Sequence, residues 1–273
     1  MCLILFSLGY HPRYPLVVAA NRDESYDRPA EPVGFWKHAP RIAGGRDLRA
    51  GGTWLGITRD GRWAALTNYR RAKSWRDDAP SRGHLVSDFL EGQMSPADYL
   101  ARLAPTAEDY NGFNLLLGDR SGLWYFSNRD EGPRQVAAGV HGLSNHLLDT
   151  PWPKVQMGRL ALQQLETRAV PQITSSLFAA LAKREVPPDS ELPDTGVGQA
   201  QERVLSPPFI AAEHYGTRMS TVLLVDQSGN VEMEEHTFGP FGHPLYQHRL
   251  SFRFDDGPQA VFLPALENER ATS

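Results

Sequence analysis

Cys2 is the sole cysteine among 273 residues, and standing directly after Met1 gives it a chemistry that no interior cysteine has. An initiator methionine before so small a residue is normally removed. Cys2 then carries both a thiol and a free α-amino group. That amine, with an ordinary pKa of about 7.7 to 8.0, accepts the thiol's proton near neutral pH, so nucleophile and base are one residue. The segment Asn21-Arg22-Asp23-Glu24 follows the apolar run Leu16–Ala20 at once, and a strand end is where site residues are presented. Arg22 is suited to orient a carboxylate or to lower the thiol pKa, and Asp23 to hold the α-ammonium. The plainer alternatives are a small buried hydrophobe opening the first strand and a solvated turn closed by a local ion pair.

Other familiar chemistry is missing. The chain has no P-loop, no G-x-G-x-x-G after a strand, no H-E-x-x-H and no G-x-S-x-G. Its nine histidines are scattered; His141 and His146 bracket a strand end without metal-ligand spacing, and no metal site is expected. One cysteine allows neither an intramolecular disulfide nor a multi-cysteine zinc site. A formal net charge of −4 speaks against nucleic acid or an anionic membrane as partner. Arg70, Arg71 and Arg76 cluster, but Asp77 and Asp78 follow, which reads as a solvated loop. The apolar start, Met1–Leu8, lacks the basic flank and cleavage site of a leader, and no apolar stretch is long enough for a transmembrane helix. The expectation is one cytoplasmic domain over 1–273.

These residues need elements to position them. Cys2–Leu8 and Leu16–Ala20 read as strands joined through a Gly/Pro-rich turn. Paired about His11–Arg13, they set residue i opposite 24 − i, which puts Cys2 beside Arg22 on one face. Thr53–Ile57 and Arg62–Tyr69 flank Asp60-Gly61, a hairpin signal; a two-residue turn there sets Thr53 opposite Asn68. Leu85, Val86, Phe89 and Leu90 recur at helical spacing, and Ser95-Pro96-Ala97-Asp98 reads as a helix start. Phe113–Leu117 with Leu123–Phe126 and Thr221–Val225 with Val231–Phe238 read as further strand pairs. Val140–Ser144 is a strand, and 154–167 and 174–183 are helices. Proline and acidic residues make 186–208 a long loop, with a lid as one use. Strand pairs alternating with helix pairs imply antiparallel sheets covered by helices, an α+β class.

Taken together, Cys2, Asn21-Arg22-Asp23-Glu24, Gly44-Gly45-Arg46-Asp47, Gly51-Gly52-Thr53-Trp54-Leu55-Gly56 and Thr67-Asn68-Tyr69 resemble the NRDE family, also called the transport-and-Golgi-organisation protein 2 family. Asn114-Leu115-Leu116, Leu143-Ser144-Asn145 and Thr217-Arg218-Met219-Ser220 extend the likeness more weakly. The resemblance implies a four-layer αββα sandwich, two antiparallel sheets between helix layers, similar to N-terminal-nucleophile hydrolases. Within that superfamily the pattern is similar to choloylglycine hydrolases and penicillin V acylases, which cleave amide bonds. The implied catalytic set is Cys2, Arg22, Asp23, Asn68, Asn145 and Arg218. In it Asn68 stabilises an oxyanion, which is worth ~3 kcal/mol in good geometry, and Asn145 aligns the amine. Asn21, Trp54 and Tyr69 are the matching candidates for contacting a small-molecule substrate. No cofactor is required. The family is also linked to haem trafficking and lipid metabolism, which leaves a non-catalytic carrier as the alternative, with haem as a possible ligand bound through Cys2 or a histidine.

Overall fold

The computed structural model describes residues 2–71, 74–165 and 170–255, the side chains of Val170 and Pro171 excepted. Two antiparallel sheets form its centre. The first has the order β10-β1-β2-β11-β12-β13, built from β1 (Cys2–Leu8), β2 (Leu16–Ser25), β10 (Gly139–Leu143), β11 (Tyr215–Val225), β12 (Asn230–Phe238) and β13 (Pro244–Arg253). The second runs β3-β4-β5-β6-β7-β8-β9, from β3 (Ala30–Phe35), β4 (Ile42–Asp47), β5 (Leu55–Thr58), β6 (Trp63–Asn68), β7 (Phe113–Asp119), β8 (Gly122–Ser127) and β9 (Arg134–Gln135).

Alternation along the strands creates the layers, because successive side chains point to opposite faces. In β1, Ile4, Phe6 and Leu8 join Trp63, Ala65, Leu116 and Tyr125 of the other sheet in a central core. Leu3 and Leu5 face the other way, onto α3 (Pro153–Gln163) and α4 (Val170–Leu181). On the far side, α1 (Gly83–Glu91) and α2 (Pro96–Leu103) lie on the second sheet. Leu85, Val86, Phe89 and Leu90 of α1 pack against Ala64, Leu66, Leu115 and Leu117, a burial worth roughly 6–12 kcal/mol before entropy is counted. The order helix, sheet, sheet, helix is the expected αββα sandwich. Ser95 caps α2 as read, accepting from the Asp98 amide at 3.1 Å. The end of the expected helix 154–167 lies outside the described residues.

Three local expectations are corrected. The β5–β6 pairing sets Leu55 opposite Ala65, which puts Thr53 opposite Thr67 rather than Asn68. The loop is one residue longer than a two-residue turn: Gly61, at φ 83°, follows a tight turn closed by Gly61 N to Thr58 O at 3.1 Å. The 186–208 segment is not all loop; it contains α5 (Gln199–Leu205). Arg70 is not solvated but buried, paired with Glu202 of α5 at 3.3 Å.

Candidate functional site

The hairpin register holds: Cys2 lies opposite Arg22. Sharing parity with Ile4 and Phe6, Cys2 stands at the end of the central layer, where the two sheets part around a cleft of about 620 Å³. Arg22, on the same face, crosses to the second sheet. Its Nη2 donates to Asp47 Oδ2 at 3.1 Å, and its guanidinium lies 4.2 Å from the Trp54 ring centroid. Asp47 also receives Arg28 Nε at 2.5 Å and the amides of Arg49 and Ala50, both at 3.0 Å. Burial alone would raise the Asp47 pKa. The Arg28 hydrogen bond, the Ala50 amide and the two guanidiniums outweigh it and hold the carboxyl below its usual range.

The glycines of the second and third motifs are spacers for this arrangement. A Cβ on Gly45 would sit 2.5 Å from the Trp54 ring, and one on Gly52 would sit 2.4 Å from the Gly83 carbonyl carbon. Without those side chains Trp54 slides under Arg22 and the start of α1 closes on the loop before β5. Thr53 fixes the loop by donating its hydroxyl to the Gly45 carbonyl at 2.7 Å.

Asp23 points the opposite way along β2, toward the helix layer. Its Oδ1 accepts from Thr217 Oγ1 at 2.7 Å, and its carbonyl accepts from Tyr215 Oη at 3.0 Å. Burial raises its pKa, opposed in part by Lys154, the Thr217 hydrogen bond and Arg70. Lys154, on the first turn of α3, is itself buried; burial lowers its pKa to about 8, against the pull of Asp23. It donates to the Leu205 carbonyl at 2.9 Å. Lys154, Arg70 and Glu202 thus form a buried charged group beside Asp23. Sequence reading missed it because its members are far apart along the chain.

Asn68 lines the cleft with Cys2, Arg22, Asp23 and Trp54. Asn145 does not line it but stands next to it. The β1–β10 register, with Ile4 opposite Leu143, carried two residues on puts Asn145 alongside Cys2. Asn145 Nδ2 donates to the Asn68 carbonyl at 2.9 Å, and Ser144 Oγ reaches the Cys2 carbonyl at 3.4 Å. The other three expected residues do not line the cleft. Asn21 donates to the carbonyls of Leu181 and Pro208 at 2.9 and 2.8 Å and accepts from Ser220, which ties β2 to the end of α4. Tyr69 bonds His146 at 2.9 Å. Arg218 sits in a bulge, since β11 pairs Thr217 with Asp23 and Met219 with Arg22. The extra residue re-aims its side chain onto the carbonyls of Ser25 and Arg28 at 2.9 and 2.7 Å.

The surroundings act on the thiol pKa in both directions. Burial pushes its pKa up and Asp23 adds to the rise; Arg22 and the Asp23 backbone amide oppose them without prevailing. The balance of these effects favours the neutral thiol. Among the described residues, no group of three or more His, Cys, Asp or Glu could hold a metal ion, and no helix is long and apolar enough to cross a membrane.

Fold and site together define an αββα protein with a cysteine at the start of its first strand, facing a cleft between the sheets. A family model described as Transport and Golgi organisation 2 matches residues 1–240, and the chain belongs to that family. It is 38% identical over 262 residues to the bovine Transport and Golgi organization protein 2 homolog, covering 87% of this chain and 93% of that one. The human homolog is 38% identical over 259 residues, with coverage of 87% and 93%. The Drosophila melanogaster protein is 29% identical over 265 residues, with 87% and 92%. Among solved structures, a Caenorhabditis elegans N-acylethanolamine-hydrolyzing acid amidase ortholog gives a TM-score of 0.45 at 10% identity, covering 82% of this chain and 92% of that one. A mutant conjugated bile acid hydrolase from Clostridium perfringens gives 0.38 at 8%, covering 96% and 95%. Likenesses at those scores carry no argument about chemistry.

Proposed function

We propose that this protein hydrolyses an amide or related acyl bond of a small molecule, with Cys2 as nucleophile after loss of Met1. The observation that carries the reading is the convergence of Cys2, Arg22, Asp23 and Asn68 on one cleft. The raised thiol pKa fits a base supplied at the moment of reaction, and the Cys2 α-amine is such a base. The amine takes the thiol proton, and the sulfur bonds to the acyl carbon. Asn68 stabilises the oxyanion. The C–N bond then breaks, and the leaving nitrogen takes the proton from the ammonium. Water hydrolyses the thioester, releasing the acid and restoring the thiol. Asp23 balances the ammonium charge, and Arg22, held by Asp47 and Trp54, walls the nucleophile.

Intact-mass measurement should find the chain short by one methionine. Cys2→Ser should fold with an unchanged melting temperature yet lose turnover across a panel of N-acyl amides. Full turnover in Cys2→Ser would end the proposal.

A second reading has one observation in its favour. A buried thiol kept protonated suits a cleft that holds a ligand without reacting with it. The protein is then a carrier of haem or a lipid-derived metabolite. Haemin added at one-to-one ratio should give a saturable Soret shift that changes in Cys2→Ser; a band identical to free haemin at every ratio counts against haem.

A further inference from the structure

Arg82 differs from the other cations of the cleft. Arg22 and Arg28 share Asp47, and Arg76 is engaged by the carbonyls of Glu108 and Asp109. Arg82 donates one Nη1 bond to the Gly112 carbonyl at 2.9 Å. Its guanidinium also lies 5.4 Å from the Trp75 ring centroid. Among the described residues no carboxylate reaches it within ion-pair distance. The carboxylates that share the cleft are otherwise engaged: Asp47 as above, Asp23 by Thr217 Oγ1 at 2.7 Å, Asp77 by Trp75 Nε1 at 2.8 Å, and Glu24 by the Ser25 amide at 2.8 Å and, more distantly, Arg28 at 4.0 Å. Arg82 and Cys2 line the same cleft, and a thiolate formed at Cys2 would act on the guanidinium more strongly than Glu24 does.

We propose that Arg82 binds an oxyanion of the substrate close to the reacting bond, so that the cleft selects acyl compounds carrying a carboxylate or similar acid. A guanidinium presents donors in a fork that matches two oxygens at once. With one donor used on Gly112, the rest of the fork is available to such a group. Burial lowers the Arg82 pKa to about 10, so the side chain stays cationic at neutral pH. This inference names the substrate class for the site proposed above and rests on that reading, but it is testable without a substrate or a processed N-terminus.

Iodoacetate and iodoacetamide alkylate a thiolate by the same step: sulfur bonds to the methylene carbon and iodide leaves. They differ in one charge. The iodoacetate-to-iodoacetamide rate ratio at Cys2 should exceed that of free cysteine by about fivefold, the scale of one partly shielded charge pair. Arg82→Gln should return the ratio to the free-cysteine value, and Arg82→Lys should keep part of it. A wild-type ratio at or below that of free cysteine overturns the inference, as does an unchanged ratio in Arg82→Gln. If Cys2 resists both reagents while the unfolded chain labels fully, the nucleophile reading falls. Thermal unfolding with hexanoate against hexanamide then decides the anion site. A rise specific to hexanoate and lost in Arg82→Gln supports it; equal effects of the two compounds overturn it.

Discussion

Asp47→Asn tests whether Asp47 holds Arg22 by charge. The substitution keeps size and one oxygen acceptor, removes the carboxylate charge that Arg22 and Arg28 share, and turns the second acceptor oxygen into a donor. At 3.1 Å the Arg22 pair has a gross attraction of about 5 kcal/mol at an effective dielectric of 20. Desolvation of the carboxylate offsets part of that. Breaking a buried pair by removing one partner costs ~3–5 kcal/mol when the remaining charge is stranded. Here Arg22 keeps its contact with the Trp54 face, and Arg28 is a quarter exposed. The net loss is therefore about 2–3 kcal/mol, which lowers the melting temperature by about 5–10 °C in a protein of this size.

Circular dichroism melts of wild type and variant across pH supply the assay. The Asp47 pKa is lowered in the folded state, so its stabilisation is present in full above the unfolded value of about 3.9 and fades as pH falls through the folded one. The gap between the two proteins should be widest at neutral pH and shrink below pH ~4. A neutral-pH shift under about 2 °C, or a gap that stays constant through the acid range, would refute the charge clamp.

Gly45→Ala drives a methyl into the Trp54 ring, and overpacking of this kind costs ~1–3 kcal/mol. It should lower the melting temperature and quicken the reaction of Cys2 with a thiol reagent as Trp54 is displaced. Glu202→Gln strands the buried Arg70 and should cost ~3 kcal/mol; limited proteolysis should then cut sooner within 186–208, whereas unchanged cleavage would mean that the pair does not hold α5. Glu235 is buried between Val33 and Thr221, and burial raises its pKa to about 7. The folded state therefore binds the proton more tightly than the unfolded chain, and stability falls as pH rises from about 4.5 to 7, by ~3 kcal/mol. Glu235→Gln should flatten that fall, and an equal fall in both proteins would contradict the assignment.

The legible parts of the site were those carried by short-range pairing. Cys2 met Arg22 because two apolar strands flank one turn, and parity in an antiparallel pair leaves little freedom. Where backbone irregularity intervened, the reading slipped. The extra residue before Gly61 moved Thr53 off Asn68, and the bulge at Arg218 turned that side chain out of the cleft. Strands β3 and β4 escaped notice because proline and glycine interrupt them, and side-chain packing rather than composition fixes strands of that kind. Helix α5 is seven residues long, too short to show a period. Asp47 did leave a signal, an acid closing a glycine motif that follows an arginine motif. The Arg70–Glu202 pair left none, because the partners are remote in sequence and each sits among residues typical of loops.

Consecutive residues of a strand face opposite layers, so Arg22 and Asp23 cannot both project to the same side of β2. Arg22 belongs to the layer between the sheets, where Asp47 and Trp54 wait for it. Asp23 belongs to the helix layer, with Thr217 and Lys154. A residue in the middle of β1 would meet only one of these environments. Cys2 is the first residue of β1, beyond the last full rung with β10, and there the Asp23 backbone amide reaches it while Arg22 lies opposite. The fold thus brings a guanidinium from one layer and a carboxylate from the other to a single strand end. The glycines at 44, 45 and 52 let the neighbouring segments close around that end, because each stands where a side chain would strike the backbone or the Trp54 ring. The motif glycines therefore serve the surroundings of Cys2 through packing alone, and substitutions there should fail by filling space even where every charged residue is kept.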